Sequence, residues 1–201
     1  MNLFYNVDGV GDVLLIQLSS SRPQSVITKS HGDVTLIHEE ATGELIAINL
    51  FHGSTYVKVD AVDGDTLTEE TVSQIQGALQ RNGVDIKLNV DLAPKFVVGH
   101  VTKKEKHPNA DKLSICTVDV GGETVQIVCG APNVDAGQKV VVAKVGAVMP
   151  SGMVIRDAEL RGIASAGMIC SAKELALPDA PQEKGILVLA GDAVAGTPFI
   201  K

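Results

Sequence analysis

The stretch LSICTVDVGGETVQIVC, residues 113–129, carries the clearest fold signal in the chain. Two strand-like apolar segments flank Gly121-Gly122. Glycine reaches the positive backbone angles of a tight primed turn without steric penalty. The stretch therefore predicts a β-hairpin with strands over 113–120 and 124–129.

Further strand-like segments surround this hairpin. They are Phe96–Lys104, Lys139–Val145 and Met153–Leu160. Together with the hairpin they make five short strands in roughly 65 residues, which fits an OB-fold, a five-stranded barrel. Composition alone fits another small barrel nearly as well.

The first half of the chain has a different pattern, in which short apolar segments are separated by turn-forming residues. Strands are predicted at Val13–Leu18, Val34–Ile37, Glu44–Leu50 and Thr55–Val59. The capping-box spacing of Thr66-Leu67-Thr68-Glu69 predicts a helix start, and Asn82-Gly83 predicts its end. We expect an amphipathic helix over 67–82 on a small sheet, so residues 1–91 form an α+β domain.

The charge distribution divides the chain near residue 92. The net charge of −7 argues at first against a nucleic-acid partner, because affinity for phosphates comes largely from Lys and Arg. However, residues 1–92 hold 5 Lys and Arg against 13 Asp and Glu, whereas residues 93–201 hold 12 against 11. This asymmetry predicts an acidic domain, 1–91, and a second domain, 92–201, that is free to carry a basic patch.

Neither a signal peptide nor a membrane span is expected, so the predicted location is cytoplasmic. The scattered cysteines, Cys116, Cys129 and Cys170, stand in apolar contexts without a CxxC pair, which favours buried thiols in a reducing compartment. Neither a metal site nor a cofactor is predicted.

The polar residues of the first half indicate no active site. Its aspartates, most of them beside a glycine, lack the spacing of an EF-hand loop and are expected in turns: Asp8, Asp12, Asp60, Asp63 and Asp65. No Ser or Cys near its histidines stands in a sequence context that would make one of them a general base: His31, His38 and His52.

Positive charge concentrates around the loop predicted between the first two barrel strands. The residues concerned are Lys103, Lys104, Lys106, His107 and Lys112. In an OB-fold this loop borders the binding face, so these side chains would meet phosphates, while Asn109 and Asp111 would shape the turn or bind ribose and base edges. A solvated turn is the competing interpretation, because Pro108-Asn109 is itself favourable turn chemistry.

Gly130-Ala131-Pro132-Asn133 follows the predicted third strand. Its backbone can approach a ligand closely, which would let Asn133 contact that ligand. A structural corner explains the motif equally well, because proline ends strand pairing.

The last motif combines small residues with a second capping box. Ser171-Ala172-Lys173-Glu174, followed by Pro178, predicts a short helical carboxy-terminal extension. Ser165-Ala166-Gly167-Met168 leaves space beside a flexible apolar side chain at the rim of the predicted face. Phosphate contacts and surface ion pairs are the two roles open to Arg156, Arg161 and Lys173.

Three segments, HPNADKL (107–113), IVCGAPNV (127–134) and SAGMICSAKEL (165–175), together resemble the EMAP-II-like tRNA-binding domain. The resemblance covers about residues 93–200, and the full chain resembles the bacterial YtpR-type proteins, which are related to a domain of the phenylalanyl-tRNA synthetase beta chain. It implies an OB-fold that binds tRNA. The candidate RNA-binding residues are Lys103, Lys104, Lys106, His107, Asn109, Asp111, Lys112, Asn133, Arg156, Arg161, Ser165, Met168, Ser171 and Lys173.

Aromatic residues are scarce in the second half. Phe96 and Phe199 are its only ones, and both stand in apolar contexts that predict burial. Single-stranded nucleic acids are usually held by stacking of bases on aromatic rings. The scarcity of aromatic residues in this half therefore favours recognition of the backbone and shape of a folded RNA.

We therefore expect a non-catalytic protein that binds tRNA or another structured RNA, with no DNA specificity. The alternative is a protein-interaction or dimerisation module of the translation machinery, with a second copy or an aminoacyl-tRNA synthetase as partner. An enzyme that uses Cys129 or Cys170 as nucleophile is disfavoured, because reactive thiols need an accessible, electropositive setting.

Overall fold

The computed structural model describes residues 1–58 and 67–200. The chain divides into two compact units, unit 1 (Met1–Ala93) and unit 2 (Pro94–Lys201). Each unit is described by itself.

Unit 1 is built on a five-stranded antiparallel sheet in the order β1-β2-β5-β4-β3. The strands are β1 (Asn2–Tyr5), β2 (Val13–Gln17), β3 (Val26–His31), β4 (Val34–Glu39) and β5 (Leu45–Phe51). The predictions of β2, β4 and β5 are confirmed, because these strands alternate buried and more exposed residues as a half-buried strand must. β1 and β3 were not predicted, and β3 is exposed along almost its whole length, so it lacks an apolar pattern.

The helices of unit 1 are α1 (Val7–Val10), α2 (Gly53–Tyr56) and α3 (Glu69–Arg81). α3 packs Ile75, Ala78 and Leu79 into the core of the sheet, which confirms the predicted amphipathic helix. Its start is corrected, because the N-cap is Thr68, whose side chain accepts a hydrogen bond from the Thr71 N–H. Over residues 1–58 and 67–200, every helix is too short or too polar to cross a membrane.

The predicted strand Thr55–Val59 is wrong, because the chain forms α2 at its start. His52 takes a left-handed φ of 52°. The Ser54 N–H and hydroxyl then donate to the Asp12 carboxylate, at 2.8 and 2.7 Å, and curl the chain into a turn. This contact joins residues far apart in sequence, so no local pattern reveals it. The predictions made for Val59, Thr66, Asp60, Asp63 and Asp65 fall outside the described residues.

Unit 2 is built on an antiparallel sheet that curls into a nearly closed barrel. The strands of the barrel sheet are β6 (Phe96–Lys106), β7 (Ser114–Asp119), β8 (Thr124–Cys129), β9 (Lys139–Ala143), β12 (Met168–Ile169) and β13 (Val188–Leu189). Two further strands, β10 (Asp157–Leu160) and β11 (Ile163–Ala166), form a separate hairpin. The barrel order is β12-β9-β6-β7-β8, and β13 also pairs with β9. Val101, Val118 and Val140 are fully buried in its core.

The predicted hairpin is confirmed. β7 and β8 pair from Ser114 opposite Cys129 to Asp119 opposite Thr124. Gly121 and Gly122 lie between them with φ of 82° and 80°, which is the backbone conformation that the glycine pair predicted.

The predicted fifth barrel strand, Met153–Leu160, is wrong. Only its second half forms a strand, β10, and β10 pairs with β11 in a separate two-stranded hairpin. β12 takes the barrel position beside β9 instead. Gly167 makes this possible, because its φ is 118° and a Cβ there would lie 3.0 Å from the Ala143 carbonyl oxygen.

The predicted carboxy-terminal helix is also wrong, since residues 171–200 contain turns and β13 but no helix. The capping box itself forms, because the Ser171 N–H donates to Glu174 Oε2 at 2.8 Å and the Glu174 N–H donates to Ser171 Oγ at 3.2 Å. The chain leaves the helical path at Ala176, which has a φ of 53°, and Pro178 follows. A capping box specifies the first turn but not the turns after it.

Candidate nucleic-acid interface

The charged end of β6 extends beyond the barrel core. Phe96–Gly99 and Val101 are buried, whereas every residue from Thr102 to Lys106 is exposed. The pairing with β7 shifts register between Val101 and Lys103. The Thr102 hydroxyl donates to the Thr117 carbonyl at 3.1 Å across this irregularity. The lysines therefore stand on an ordered strand end.

The lysines of this region differ in their partners. Lys103 pairs with Glu105 at 2.9 Å, and Lys104 lies 3.9 Å from Asp135. Lys106 and Lys112 are exposed, and in the described part of the chain neither makes an ion pair. These two cations are the ones available to an outside anion.

His107 serves the loop between β6 and β7 from inside. It is only 5% exposed. Its Nδ1 accepts a hydrogen bond from the Asn109 N–H at 3.1 Å, and its Nε2 lies 3.0 Å from the Leu160 carbonyl oxygen. Because an amide N–H only donates and a carbonyl only accepts, the ring is neutral with its proton on Nε2.

Asn109 adds a second tie between the same loop and the turn of the β10–β11 hairpin. Its Nδ2 donates to the Arg161 carbonyl at 3.1 Å. Arg161 and Gly162 form that turn with φ of 52° and 87°. The structure thus brings the loop of Lys106, Asp111 and Lys112 against the turn that carries Arg161, and Asp111 is exposed beside the cations.

Ser165 is 4% exposed. Its Oγ accepts a hydrogen bond from the Val128 N–H at 3.0 Å. Nearby, Gln126 Nε2 donates to the Ala164 carbonyl at 2.7 Å. Both bonds attach β11 to β8. Sequence reasoning missed Gln126, because one polar residue in an alternating strand looks like any other solvent-facing side chain.

A second group of candidate residues lines a cavity of about 280 Å³. Its polar members are Asn133, Ser171, Lys173, Glu183 and Lys184. The Asn133 amide is engaged with the backbone of Ile186, donating at 3.0 Å and accepting at 2.8 Å. Lys173 and Lys184 are exposed. Lys184 was missed because it lies outside the three motifs.

The other candidates differ in their burial and in their hydrogen-bond partners. Ser171 Oγ donates to Glu174 Oε2 at 2.7 Å. Met168 is half-buried in β12, opposite Ala143. Arg156 is half-buried, and its Nη1 donates to the Val154 carbonyl at 3.4 Å.

The cysteines of unit 2 are all buried. Burial raises the pKa of the Cys116 thiol to about 11, and it also raises the pKa of the Cys129 thiol. The thiolate is the nucleophilic form of cysteine. These two side chains are therefore suited to packing rather than to nucleophilic attack.

The carboxylates of unit 1 serve its own fold. Hydrogen bonds from Ser54 and from the Tyr5 hydroxyl lower the pKa of the Asp12 carboxyl. The Tyr56 hydroxyl, at 2.8 Å, and His52 Nδ1, at 3.1 Å, lower the pKa of the Asp33 carboxyl. Both residues therefore hold together the ends of strands and the short helix α2.

Comparison with known proteins identifies the class to which this chain belongs. A family model described as "Putative tRNA binding domain" matches residues 96–198, and one described as "Domain of unknown function" matches residues 21–91. The chain is 61% identical over 199 residues to "Putative tRNA-binding protein YtpR" of Bacillus subtilis, with 99% of each chain covered. It belongs to the EMAP-II-like tRNA-binding-domain family, in the bacterial YtpR-type branch.

The chain also resembles part of much longer proteins. It is 57% identical over 110 residues to the phenylalanine–tRNA ligase beta subunit of Oleidesulfovibrio alaskensis and 47% identical over 146 residues to that of Bacillus licheniformis. These matches cover 55% and 70% of this chain but only 14% and 18% of the two subunits.

Proposed function

We propose that unit 2 is an OB-fold that binds folded tRNA without catalysing a reaction, through contacts with the RNA backbone and its shape. The observation that carries the proposal is the contrast within the β6–β7 loop. Its neutral polar side chains, His107 and Asn109, are engaged in hydrogen bonds to the protein backbone, whereas Lys106 and Lys112 face solvent. Exposed cations on an ordered loop are suited to phosphates.

The aromatic residues support recognition of shape over stacking. Phe96 is 8% exposed, and Phe199 packs against the core beside it. No other aromatic residue occurs in unit 2. Without an exposed aromatic ring, the bases of an unstructured strand gain little binding free energy from stacking. The geometry of the RNA backbone then determines which RNA binds.

Family membership supports tRNA as the RNA, because the relative that matches almost the full chain is described as "Putative tRNA-binding protein YtpR". We assign residues 92–201 to RNA binding and leave the role of the acidic domain, 1–91, open. The cations proposed to contact phosphates are Lys103, Lys104, Lys106, Lys112, Arg156, Arg161 and Lys173. The residues proposed to shape the surface are His107, Asn109, Asp111, Asn133, Ser165, Met168 and Ser171.

Filter binding of the full chain tests the proposal, with folded tRNA compared against an unstructured oligonucleotide of equal length. We expect a clear preference for the folded tRNA. With about three to five phosphate contacts, affinity should fall about a hundredfold between 50 and 200 mM salt. Equal affinity for the two RNAs would overturn recognition by shape, and an affinity insensitive to salt would overturn recognition of the backbone.

A further inference from the structure

The β10–β11 hairpin is attached to the barrel by side chains. In the described part of the chain, β10 and β11 form a backbone ladder only with each other. Four side-chain hydrogen bonds reach across instead, from His107 to Leu160, Asn109 to Arg161, Gln126 to Ala164 and Val128 to Ser165. Besides its covalent continuation through Gly167 into β12, the hairpin is therefore held against the barrel by a few specific side chains.

We infer that His107 and Asn109 are positioning residues that join Lys106, Lys112 and Arg161 into one phosphate-binding surface. The inference rests on the proposed function, since it names the residues that assemble the RNA site. Arg161 becomes part of the same surface as the loop lysines, although it lies 49 positions after Lys112 in the sequence.

The two ties are placed where they fix the turn itself. His107 and Asn109 bond to successive carbonyls, those of Leu160 and Arg161, at 3.0 and 3.1 Å. Two ties at neighbouring peptide units constrain the orientation of the turn more than either tie alone. They hold the turn against the β6–β7 loop.

Arg161 is an unusual residue for its position. Its φ is 52°, in the left-handed region that favours Asn or Gly at the first position of a two-residue primed turn. Its side chain makes no hydrogen bond or ion pair with the described residues, so the fold itself gains nothing from the guanidinium. A role toward an external anion explains why a disfavoured residue stands at the exposed tip.

The positioning residues carry no charge in this arrangement, and this makes the inference testable. Asn109 is neutral, and the hydrogen bonds of His107 require the neutral ring. A substitution that breaks these ties removes no positive charge. It should nevertheless reduce the salt dependence of binding, because Arg161 would no longer reach its phosphate.

The experiment is a double-mutant cycle on the full chain with tRNA as the probe. R161A alone should weaken binding about fivefold and lower the slope of log Kd against log salt by about one. N109A alone should approach the same change, and the double variant N109A/R161A should be no weaker than R161A. The control is a second double-mutant cycle with Lys173, which lies outside the region joined by His107 and Asn109. In that cycle the losses of tRNA affinity caused by N109A and K173A should multiply.

Because His107 is buried, its variants need a check that they fold. Asn109 is exposed, so N109A serves as the primary variant. H107Q is the second, because glutamine can still donate to the Leu160 carbonyl, and it should retain more of the coupling with R161A than H107F does. Urea denaturation of each variant identifies any change that reflects unfolding alone.

The outcomes separate the two claims. If K106A and K112A weaken binding but the effects of N109A and R161A simply multiply, the positioning role is wrong and the proposed function stands. The positioning role also falls if R161A leaves both affinity and salt slope unchanged while K106A and K112A alter them. If none of the three cation variants changes tRNA affinity, the proposed function fails as well.

Discussion

The strand ends around α2 in unit 1 and the β6–β7 loop in unit 2 use charged side chains in opposite ways. In unit 1, Asp12 and Asp33 accept hydrogen bonds from the fold that surrounds them, so their charge stabilises strand ends and α2. In the β6–β7 loop of unit 2, the neutral groups of His107 and Asn109 perform that task, whereas Lys106 and Lys112 face solvent. Charge that is satisfied internally serves the fold, whereas the charge of Lys106 and Lys112 stays available to an outside anion.

Reversal of loop charge is the largest expected effect and the most direct way to break this comparison. K106E/K112E should weaken tRNA binding about a hundredfold near 0.15 M salt, because two phosphate contacts are lost and two repulsions appear. The matched variant in unit 1 is K29E/K87E, which changes two exposed lysines and the net charge equally. It should change affinity less than about threefold. Equal losses would mean that net charge, rather than the loop, determines binding.

The units also differ in their sheets, because the sheet of unit 2 curls into a nearly closed barrel. A substitution at Gly167 tests the bend by which β12 enters this barrel. Alanine there would have a strained φ of 118° and a Cβ 3.0 Å from the Ala143 carbonyl oxygen. G167A should lower the free energy of unfolding by about 2 kcal/mol in urea denaturation. The control is G191A, where no atom lies within 4 Å of the added Cβ and φ is ordinary. A G167A variant as stable as G191A would contradict the tight β11–β12 turn.

The smallest expected effect concerns the acid response of unit 1. Because the pKa values of Asp12 and Asp33 are lowered from 3.8 in the folded state, their stabilisation is complete above pH 3.8 and is lost as pH falls through the lowered values. D33N should therefore be less stable than the wild type at pH 7 and should lose less stability on acidification. D8N, at an exposed aspartate of the same unit, should match the wild type throughout.

Tyrosine fluorescence reports this unfolding selectively. The chain has no tryptophan, and both of its tyrosines, Tyr5 and Tyr56, lie in unit 1. Their hydroxyls donate to Asp12 and Asp33. A D33N variant whose urea midpoint follows the wild type at both pH values would show that the Asp33 carboxylate does not stabilise the folded unit.

Local patterns predicted part of the fold well. The Gly121-Gly122 hairpin, three strands of unit 1 and α3 all follow from turn chemistry or periodic burial, which neighbouring residues encode. The predictions failed where distant residues decide the path. Ser54 bonds to Asp12, 42 positions away, and turns a predicted strand into α2. β10 has no buried face, so its separation from the barrel sheet has no trace in its own sequence.

The candidate site likewise divides into features that local sequence encodes and features that distant contacts decide. Sequence reasoning found the lysines and the motifs, but it placed His107 and Ser165 in contact with RNA, whereas the structure buries both and engages them in hydrogen bonds. Buried and exposed roles of a polar residue look alike in sequence, because both need the same hydrogen-bonding group.

The sequence by itself determined the division into an acidic and a near-neutral half, the central hairpin and the family, because composition, turn residues and motifs are local properties. Only the tertiary structure decided which polar residues hold the loop and which cations stay free, because hydrogen bonds such as that of Asn109 to Arg161 span 52 positions. The loop of Lys106 and Lys112 lies against the turn of Arg161 only after the barrel has folded.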